Sequence, residues 1–177
     1  MNSTKKVNGT SETPRFILDG MLGSLTRWLR ICGYEAVYLG DSSDDELLDR
    51  SLKGGFVLLT MDELLYRKGQ RAGVEALLVR GARDVEWLAA VSRQYDLALE
   101  PSQSRCSSCG ASLREAKKET LRDIVPPRTF EAYENFWLCD SCGKAYWRGS
   151  HWRNIVASVA EASRLAGPSA TGSEQDL

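Results

Sequence analysis

The amino-acid sequence predicts an α/β protein in which a mostly parallel β-sheet is flanked by helices, with a C-terminal zinc ribbon. Three observations predict this fold class. Short apolar runs alternate with amphipathic helical patterns over residues 15–100, as in strand–helix–strand units. The runs are continuously apolar, as expected of strands that are buried on both faces of a sheet. Further along, the alternation stops and two C-x-x-C pairs follow.

The first strand and helix begin at Arg15. RFILD is a short apolar run that ends in Asp19, and we interpret it as the first strand. In the following segment LGSLTRWLRICG, apolar residues recur at helical spacing from Leu22 to Cys32. We expect this helix to end at Gly33, because glycine commonly terminates helices.

Three more strands complete the predicted sheet. YEAVYLG is the second strand, FVLLT the third, and EALLVRG the fourth. Between the second and third, Ser43 and Glu46 form an S-x-x-E capping box. We therefore expect a helix that begins there and ends at Gly54 or Gly55. DVEWLAAVSRQY predicts a further amphipathic helix after the fourth strand.

Composition indicates how the 177 residues are organised. The chain is long enough for one sizeable domain and a smaller unit. The two ends are rich in Ser, Thr and Gly, so we expect them to be disordered. A change of character near Pro101 marks a domain boundary. The expected segments are a tail at 1–14, the sheet domain at 15–104, the ribbon at 105–153, a helix at 154–166 and a tail at 167–177.

Charge and hydropathy narrow the class of protein. No apolar run approaches the roughly 20 residues of a membrane span, and no apolar segment of an export signal follows Lys5 and Lys6. We therefore expect a cytoplasmic protein, in which cysteines bind metal more often than they form disulfides. The net charge of −1 gives no general sign of nucleic-acid binding.

The C-x-x-C pairs are the strongest chemical signal. Each pair precedes a glycine, as CSSCG and CDSCG, and each would form a tight turn with two thiolates on one side. Two such knuckles supply four tetrahedral zinc ligands; disulfides within each pair and an iron site are the alternatives. The 29 intervening residues require an additional hairpin or loop. The expected ligands are Cys106, Cys109, Cys139 and Cys142.

The segment YWRGSHW follows the last of these cysteines. Trp147, Arg148 and His151 are suited to stacking on bases and contacting phosphate. Alternatively, the aromatic residues fill the thin core of the ribbon. Cys32 lies apart on an apolar helix face, and we expect it to be a small buried side chain.

Carboxylates form the second constellation. Asp19 ends the first strand, Asp62 follows the third, and Asp44, Asp45 and Glu46 open the intervening helix. In a parallel sheet the carboxyl ends of the strands share one edge, where ligands bind. Clustered carboxylate oxygens suit Mg²⁺ or Mn²⁺, which would polarise a phosphodiester and activate water. Helix capping and interaction with the helix dipole are the alternative explanation for Asp44, Asp45 and Glu46. Asp19 and Asp62 are less easily explained in that way, because each lies at the end of an apolar strand.

These residues together resemble the mut-seven C-terminal RNase family, whose members pair a PIN-like nuclease core with a zinc ribbon. The resemblance rests on RFILDGMLGSLTRWLRICGYEAVYLG, DDELLDRSLKGGFVLLTMDELLYRKG, SRCSSCG and CDSCGKAYWRGSH, and covers about residues 15–153. It implies that Asp19 and Asp62 hold the catalytic metal. Either Asp44 or Asp45 matches the middle acid, and Ser51 favours Asp45 because the family has a small residue about six positions on.

The resemblance also implies roles for polar and basic residues. Thr60 would hydrogen-bond a water on the metal or a phosphate. Arg27 and Arg30 match basic positions of the first family helix and would contact the RNA backbone. Met61 follows LLT where the family usually has a basic residue. Either turnover is weaker without that phosphate contact, or Arg67 or Lys68 supplies it.

The expected function is that of a metal-dependent endoribonuclease acting on single-stranded RNA, with the ribbon positioning the substrate. A catalytically weak RNA- or ribosome-associated zinc-binding module is the alternative. A third possibility is a structural zinc protein that docks on another protein.

Overall fold

The computed structural model describes residues 13–168. Residues 1–12 and 169–177, which hold most of the two tails predicted to be disordered, lie outside that part. The strands are β1 (Phe16–Leu18), β2 (Ala36–Tyr38), β3 (Val57–Thr60), β4 (Ala76–Leu78), β5 (Arg114–Ala116), β6 (Phe136–Leu138) and β7 (Ala145–Trp147). The helices are α1 (Gly23–Ile31), α2 (Asp44–Gly54), α3 (Glu63–Arg71), α4 (Asp84–Tyr95), α5 (Pro127–Ala132) and α6 (Ser150–Ala166).

The first four strands form one parallel sheet in the order β2-β1-β3-β4. Neighbouring strands are in register, with Leu18 beside Tyr38 on one side and Leu59 on the other. Helices cover both faces, so the predicted fold class is confirmed. The carboxyl ends of the strands consequently meet at one edge of the sheet, and their amino ends meet at the other.

The sheet separates two apolar clusters because successive side chains of a strand point to opposite faces. On one face, Phe16 and Leu18 pack with residues of α1, α4 and α6, including Leu29. On the other face, Ile17 and Leu58 pack with residues of α2 and α3. Burial on both faces explains why these strands are continuously apolar.

The ends of the second and third helices show how short motifs determine local structure. Ser43 caps α2, accepting a hydrogen bond from the Glu46 amide at 3.3 Å, and Gly55 ends the helix with φ of 63°. Helix α3 was not assigned from the sequence, although Asp62 is the signal that precedes it. Its carboxylate accepts hydrogen bonds from the first amides of that helix.

The ribbon consists of the antiparallel sheet β5-β6-β7 with α5 and a 3-10 turn at Lys118–Leu121. Strand β5, that turn and α5 lie within the long connection between the knuckles. Leu121, Val125 and Phe136 form its small buried core. Such a small core makes a metal cross-link the expected source of additional stability.

The last helix begins at Ser150 and not at residue 154 as predicted, because Gly149 is extended and its carbonyl accepts from the Trp152 amide at 3.0 Å. Helix α6 therefore follows β7 almost directly and packs along α4. The Arg83 guanidinium reaches Glu161 at 2.9 Å. Within residues 13–168 no helix has both the length and the apolar character needed to cross a membrane.

Candidate functional site

Four cysteine side chains meet between the ribbon's two turns. The sulfurs of Cys106, Cys109, Cys139 and Cys142 all lie within 4.8 Å of one another. The Cys106–Cys142 and Cys109–Cys139 sulfur pairs are 3.6 and 3.5 Å apart. These distances far exceed a disulfide bond of about 2.05 Å. They approach the edges of a tetrahedron with metal–sulfur bonds of about 2.3 Å, so the four thiolates could hold a zinc ion.

The two knuckles share one backbone design. The Gly110 amide donates to the Cys106 carbonyl, and the Gly143 amide donates to the Cys139 carbonyl, each at 2.8 Å. Both glycines have positive φ, 82° and 71°, a conformation that favours glycine. The glycine after each C-x-x-C pair is therefore required by the turn that brings two sulfurs to one side.

Tyr146 contacts the cluster directly, a role that the sequence did not indicate. Its hydroxyl lies 3.0 Å from the Cys106 sulfur. Burial would raise the pKa of Cys106, but the Tyr146 hydroxyl and neighbouring backbone amides lower that pKa to about 6. Cys106 is thereby biased toward the thiolate, which is the form that binds zinc.

Arg30 attaches the first knuckle to the sheet domain. It is 7% exposed. Its Nε donates to the Ala36 carbonyl at 2.8 Å, and its Nη1 donates to the carbonyls of Ser108 and Ser107 at 2.8 and 3.3 Å. Burial lowers the pKa of Arg30, while the charges of Cys109 and Cys106 oppose that shift. The structure thus gives Arg30 an internal role in place of the RNA contact suggested by the sequence.

Asp19 and Thr60 occupy the carboxyl edge of the sheet, at the ends of the adjacent strands β1 and β3. Asp19 is 7% exposed and Thr60 is fully buried. The Thr60 hydroxyl donates to Oδ2 of Asp19 and accepts from the Asp62 amide at 2.9 Å. Because Thr60 is enclosed, it orients the two acids and does not itself reach a phosphate, in contrast to the direct contact expected from the sequence.

Asp62 lies at the same edge as Asp19 and is exposed. Its Oδ1 accepts from the Leu64 and Leu65 amides at 2.6 and 3.1 Å, so Asp62 is the N-cap of α3. Capping and metal binding are compatible here because Oδ2 takes part in no hydrogen bond within residues 13–168. Asp62 therefore caps α3, which the sequence did not lead us to expect, and still presents one carboxylate oxygen at the edge.

One of the middle acids pairs with a lysine of α3. Asp44 binds the Lys68 ammonium at 3.0 Å. The pKa of Lys68 is raised, first by that hydrogen bond and further by the charges of Asp44, Asp45 and Asp62. Of these three acids, Asp44 is the one in direct contact with Lys68. Within residues 13–168, however, only the cysteines form a compact group of three or more metal-ligating side chains.

The other predicted phosphate contact, Arg67, lies near Glu63, with 3.6 Å between Nη2 and Oε1. Asp84, which sequence reasoning did not select, follows β4 and opens α4. Its carboxylate accepts from the Ser24 hydroxyl at 2.8 Å and from the Trp28 indole at 3.2 Å. Its position after a strand was the available signal, as it was for Asp62.

The two sites lie toward opposite edges of the sheet domain. Asp19 follows the last residue of β1, whereas Arg30 lies in the last turn of α1 and contacts Ala36, the first residue of β2. The knuckle held by Arg30 therefore lies at the amino edge. The nine residues of α1 span about 13 Å, so an RNA that contacted both sites would have to run at least that far.

The side chains predicted to contact RNA have different environments. Trp147 is half-buried and packs in the ribbon core with Phe136, at 6.4 Å between ring centroids, as the core-filling alternative anticipated. Arg148, His151 and Arg27 are exposed. These three remain available at the surface.

The isolated thiol Cys32 is 5% exposed. Burial raises its pKa to about 12. Since the thiolate is the reactive form, Cys32 is unsuited to nucleophilic chemistry at neutral pH.

Comparison with known proteins gives one family match. The family described as Mut7-C RNAse domain matches residues 14–159. No curated protein matches the chain, and no solved structure does. The matched segment contains both the acidic edge and the four cysteines, and it ends within α6.

Proposed function

Because the chain belongs to the Mut7-C RNAse domain family, we propose that it is a metal-dependent ribonuclease that hydrolyses phosphodiester bonds of single-stranded RNA. The observation that carries the proposal is the hydrogen-bonded set Asp19–Thr60–Asp62 at the carboxyl edge of adjacent parallel strands. Parallel α/β sheets bind their ligands at this edge.

Asp19 and Asp62, with Asp44 or Asp45, are the residues that would hold Mg²⁺ or Mn²⁺. Their oxygen chemistry fits, because such ions commonly use one or two carboxylates and retain several waters. The free Oδ2 of Asp62 and the carboxylate of Asp19 provide that minimum. When bound, the ion would supply polarisation of the phosphodiester and activation of a water for in-line attack.

The protein's own part is positioning. Thr60 fixes the orientation of the Asp19 carboxylate, and the Met21 amide holds the other oxygen of Asp19 at 3.0 Å. An acid restrained on both oxygens by protein groups loses little conformational freedom when it binds a ligand. Exposed Arg27 on α1 is available for the RNA backbone.

The ribbon has two proposed roles. Zinc bound by the four cysteines stabilises a unit whose apolar core is small, and the segment from Trp147 to His151 contributes to RNA binding. Zinc binding requires reduced thiols, in keeping with a cytoplasmic location.

Replacing both Asp19 and Asp62 with asparagine tests the catalytic proposal. We expect full-length protein with Mn²⁺ to cleave labelled single-stranded RNA, and we expect the double variant to lose cleavage by at least about a hundredfold, because neutral amides bind divalent ions poorly. The matched control is Asp49→Asn, which changes an exposed acid that pairs with Lys53 on α2. Unchanged cleavage in the double variant would disprove an acidic active site at this edge.

Thr60→Val should lower metal-dependent cleavage about tenfold, because substitution of groups that orient metal ligands typically costs 10–100-fold in affinity or activity. Valine has a similar shape but cannot donate to Asp19. Thr60→Ser retains the hydroxyl and should retain most activity. The measurement is the Mn²⁺ dependence of the cleavage rate; equal activation curves for Thr60→Val and the parent protein would contradict the positioning role.

A specific observation favours a second candidate function, an RNA- or ribosome-associated module with weak catalysis. Asp62 is partly committed to capping α3, and Asp44 is paired with Lys68. Protein that binds RNA with or without Mn²⁺, and leaves it intact over long incubation, would establish this function instead.

A further inference from the structure

A cavity lies where the ribbon meets the sheet domain and α6. Its volume is about 140 Å³. Aromatic side chains supply much of its wall, including Trp137 from β6 and Trp152 from α6, and Ile31 closes it on the side of α1. It is therefore formed by segments that come together only in the complete fold.

The aromatic wall carries a stacked cation. The guanidinium carbon of Arg148 lies 5.2 Å from the Trp137 ring centroid and 4.9 Å from that of Trp152. Both contacts are within the cation–π range of about 6 Å. This wall therefore combines flat apolar surfaces with positive charge, which suits an aromatic ring attached to an anionic backbone.

A second arginine supplies hydrogen-bond donors to the same cavity. Arg105 lines it and is half-buried. Its Nε donates to the Gly110 carbonyl at 2.8 Å, whereas its two terminal nitrogens make no hydrogen bond within residues 13–168. They are free to donate to the acceptor atoms of a base edge.

We propose that this cavity binds one unpaired pyrimidine base of an RNA strand. The inference rests on the proposed function in taking RNA as the ligand. The volume of the cavity, about 140 Å³, is close to the roughly 150 Å³ of an apolar protein cavity that accepts benzene, a single six-membered ring. A purine has two fused rings, and one of them would have to remain outside such a volume. The aromatic wall stacks on the base, and Arg105 donates to its edge.

A neighbouring, larger cavity indicates where the RNA strand would continue beyond the bound base. It has a volume of about 470 Å³ and shares Trp147 and Trp152 with the first. His151 lines this larger cavity. In this proposal the strand continues there from the pyrimidine, along residues of the ribbon and α6.

Equilibrium binding tests the proposal without catalysis. Short oligouridine, oligocytidine and oligoadenosine of equal length are titrated into the Asp19→Asn, Asp62→Asn protein without added Mn²⁺, with tryptophan fluorescence as the readout. We expect both pyrimidine oligomers to bind about tenfold more tightly than oligoadenosine. Stacking of one base on aromatic residues increases affinity about tenfold or more, and a base that does not fit the cavity loses that contact.

Two variants and one control locate the effect. Ser102 is exposed and lines the cavity, so Ser102→Phe should fill it and weaken pyrimidine binding about tenfold. Arg148→Gln, which removes the stacked cation, should also weaken it. Ser163→Phe places the same ring at an exposed position of α6 that does not line the cavity, and it should bind like the parent. Zinc content and thermal unfolding verify that each variant is folded.

Equal affinity for the purine and pyrimidine oligomers, unchanged binding by folded Ser102→Phe, or no RNA binding at all would each overturn the proposal. These failures are distinguishable from failure of the ribonuclease proposal, which is decided by Mn²⁺-dependent cleavage and by Asp19 and Asp62 at the other edge.

Discussion

Replacement of Cys139 with serine is expected to release zinc and unfold the ribbon. Cys139 is fully buried, and its sulfur lies 3.5 Å from that of Cys109. Structural zinc contributes roughly 10–16 kcal/mol in zinc-finger peptides, so loss of one ligand in four should weaken zinc binding about a hundredfold or more. The small cluster of Leu121, Val125 and Phe136 would not hold the ribbon together alone.

The zinc content of the purified protein, measured after gel filtration, checks this expectation. The parent chain should retain about one zinc ion, as a site with four thiolates requires. Cys32→Ala is the matched control, since Cys32 is buried in the sheet domain and lies outside the cysteine cluster. Equal zinc content in Cys139→Ser and the parent chain would contradict a site with four thiolates. The ribbon of the serine variant should also become sensitive to protease.

Replacement of Arg30 with methionine is expected to destabilise the whole chain by about 3–5 kcal/mol. The buried side chain donates to the carbonyls of Ala36, Ser107 and Ser108. Methionine fills a similar volume but leaves these carbonyls without that donor, and each buried unsatisfied group costs about 1–3 kcal/mol. A zinc site with four thiolates has a net charge of −2, so loss of the nearby cation should also weaken zinc binding.

Chemical denaturation, monitored by tryptophan fluorescence, measures this effect. Arg27→Met changes an exposed arginine on the same helix and should alter the free energy of unfolding by no more than about 0.5 kcal/mol. Arg30→Lys should fall between, because an ammonium keeps the charge but cannot reproduce the fork of donors. If Arg30→Met were as stable as Arg27→Met, the contacts of Arg30 between the knuckle and the sheet domain would not contribute to the free energy of unfolding.

Glycine at position 110 belongs to the same junction. A Cβ there would lie 3.0 Å from the Arg30 Nε and 3.5 Å from the Ala36 carbonyl oxygen. The knuckle backbone can therefore approach the arginine only because it has no side chain at that point. The residue that permits the metal-binding turn also permits the contact between domains.

The distance between the two sites affects how RNA would use them. The ribbon's contact with Arg30 lies at the amino edge of the sheet, whereas Asp19 and Asp62 lie at the carboxyl edge. A base held in the ribbon cavity is therefore remote from the bond that would be cut. In the proposed arrangement, the ribbon would bind the RNA strand near the amino edge of the sheet. The strand would be cleaved at the carboxyl edge.

Local sequence was sufficient to predict much of the fold and of the two candidate sites. Apolar runs predicted the four parallel strands, and the serine before α2 predicted its first residue. The C-x-x-C-G repeats predicted which sulfurs would meet, because each knuckle is a short turn whose geometry depends on adjacent residues. Asp19 and Asp62 were brought to one edge by topology that follows directly from parallel strands.

Contacts between distant segments were decided only by the tertiary structure. Arg30 and Ser108 are 78 positions apart, and nothing in the helix around Arg30 distinguishes a buried guanidinium from an exposed one. Thr60 lies two residues before Asp62 in the sequence. Only the tertiary structure shows that its side chain is fully buried and donates a hydrogen bond to Asp19. Spacing along a chain determines which residues share a turn or an edge, whereas burial and hydrogen-bond partners depend on which other segments pack against that edge.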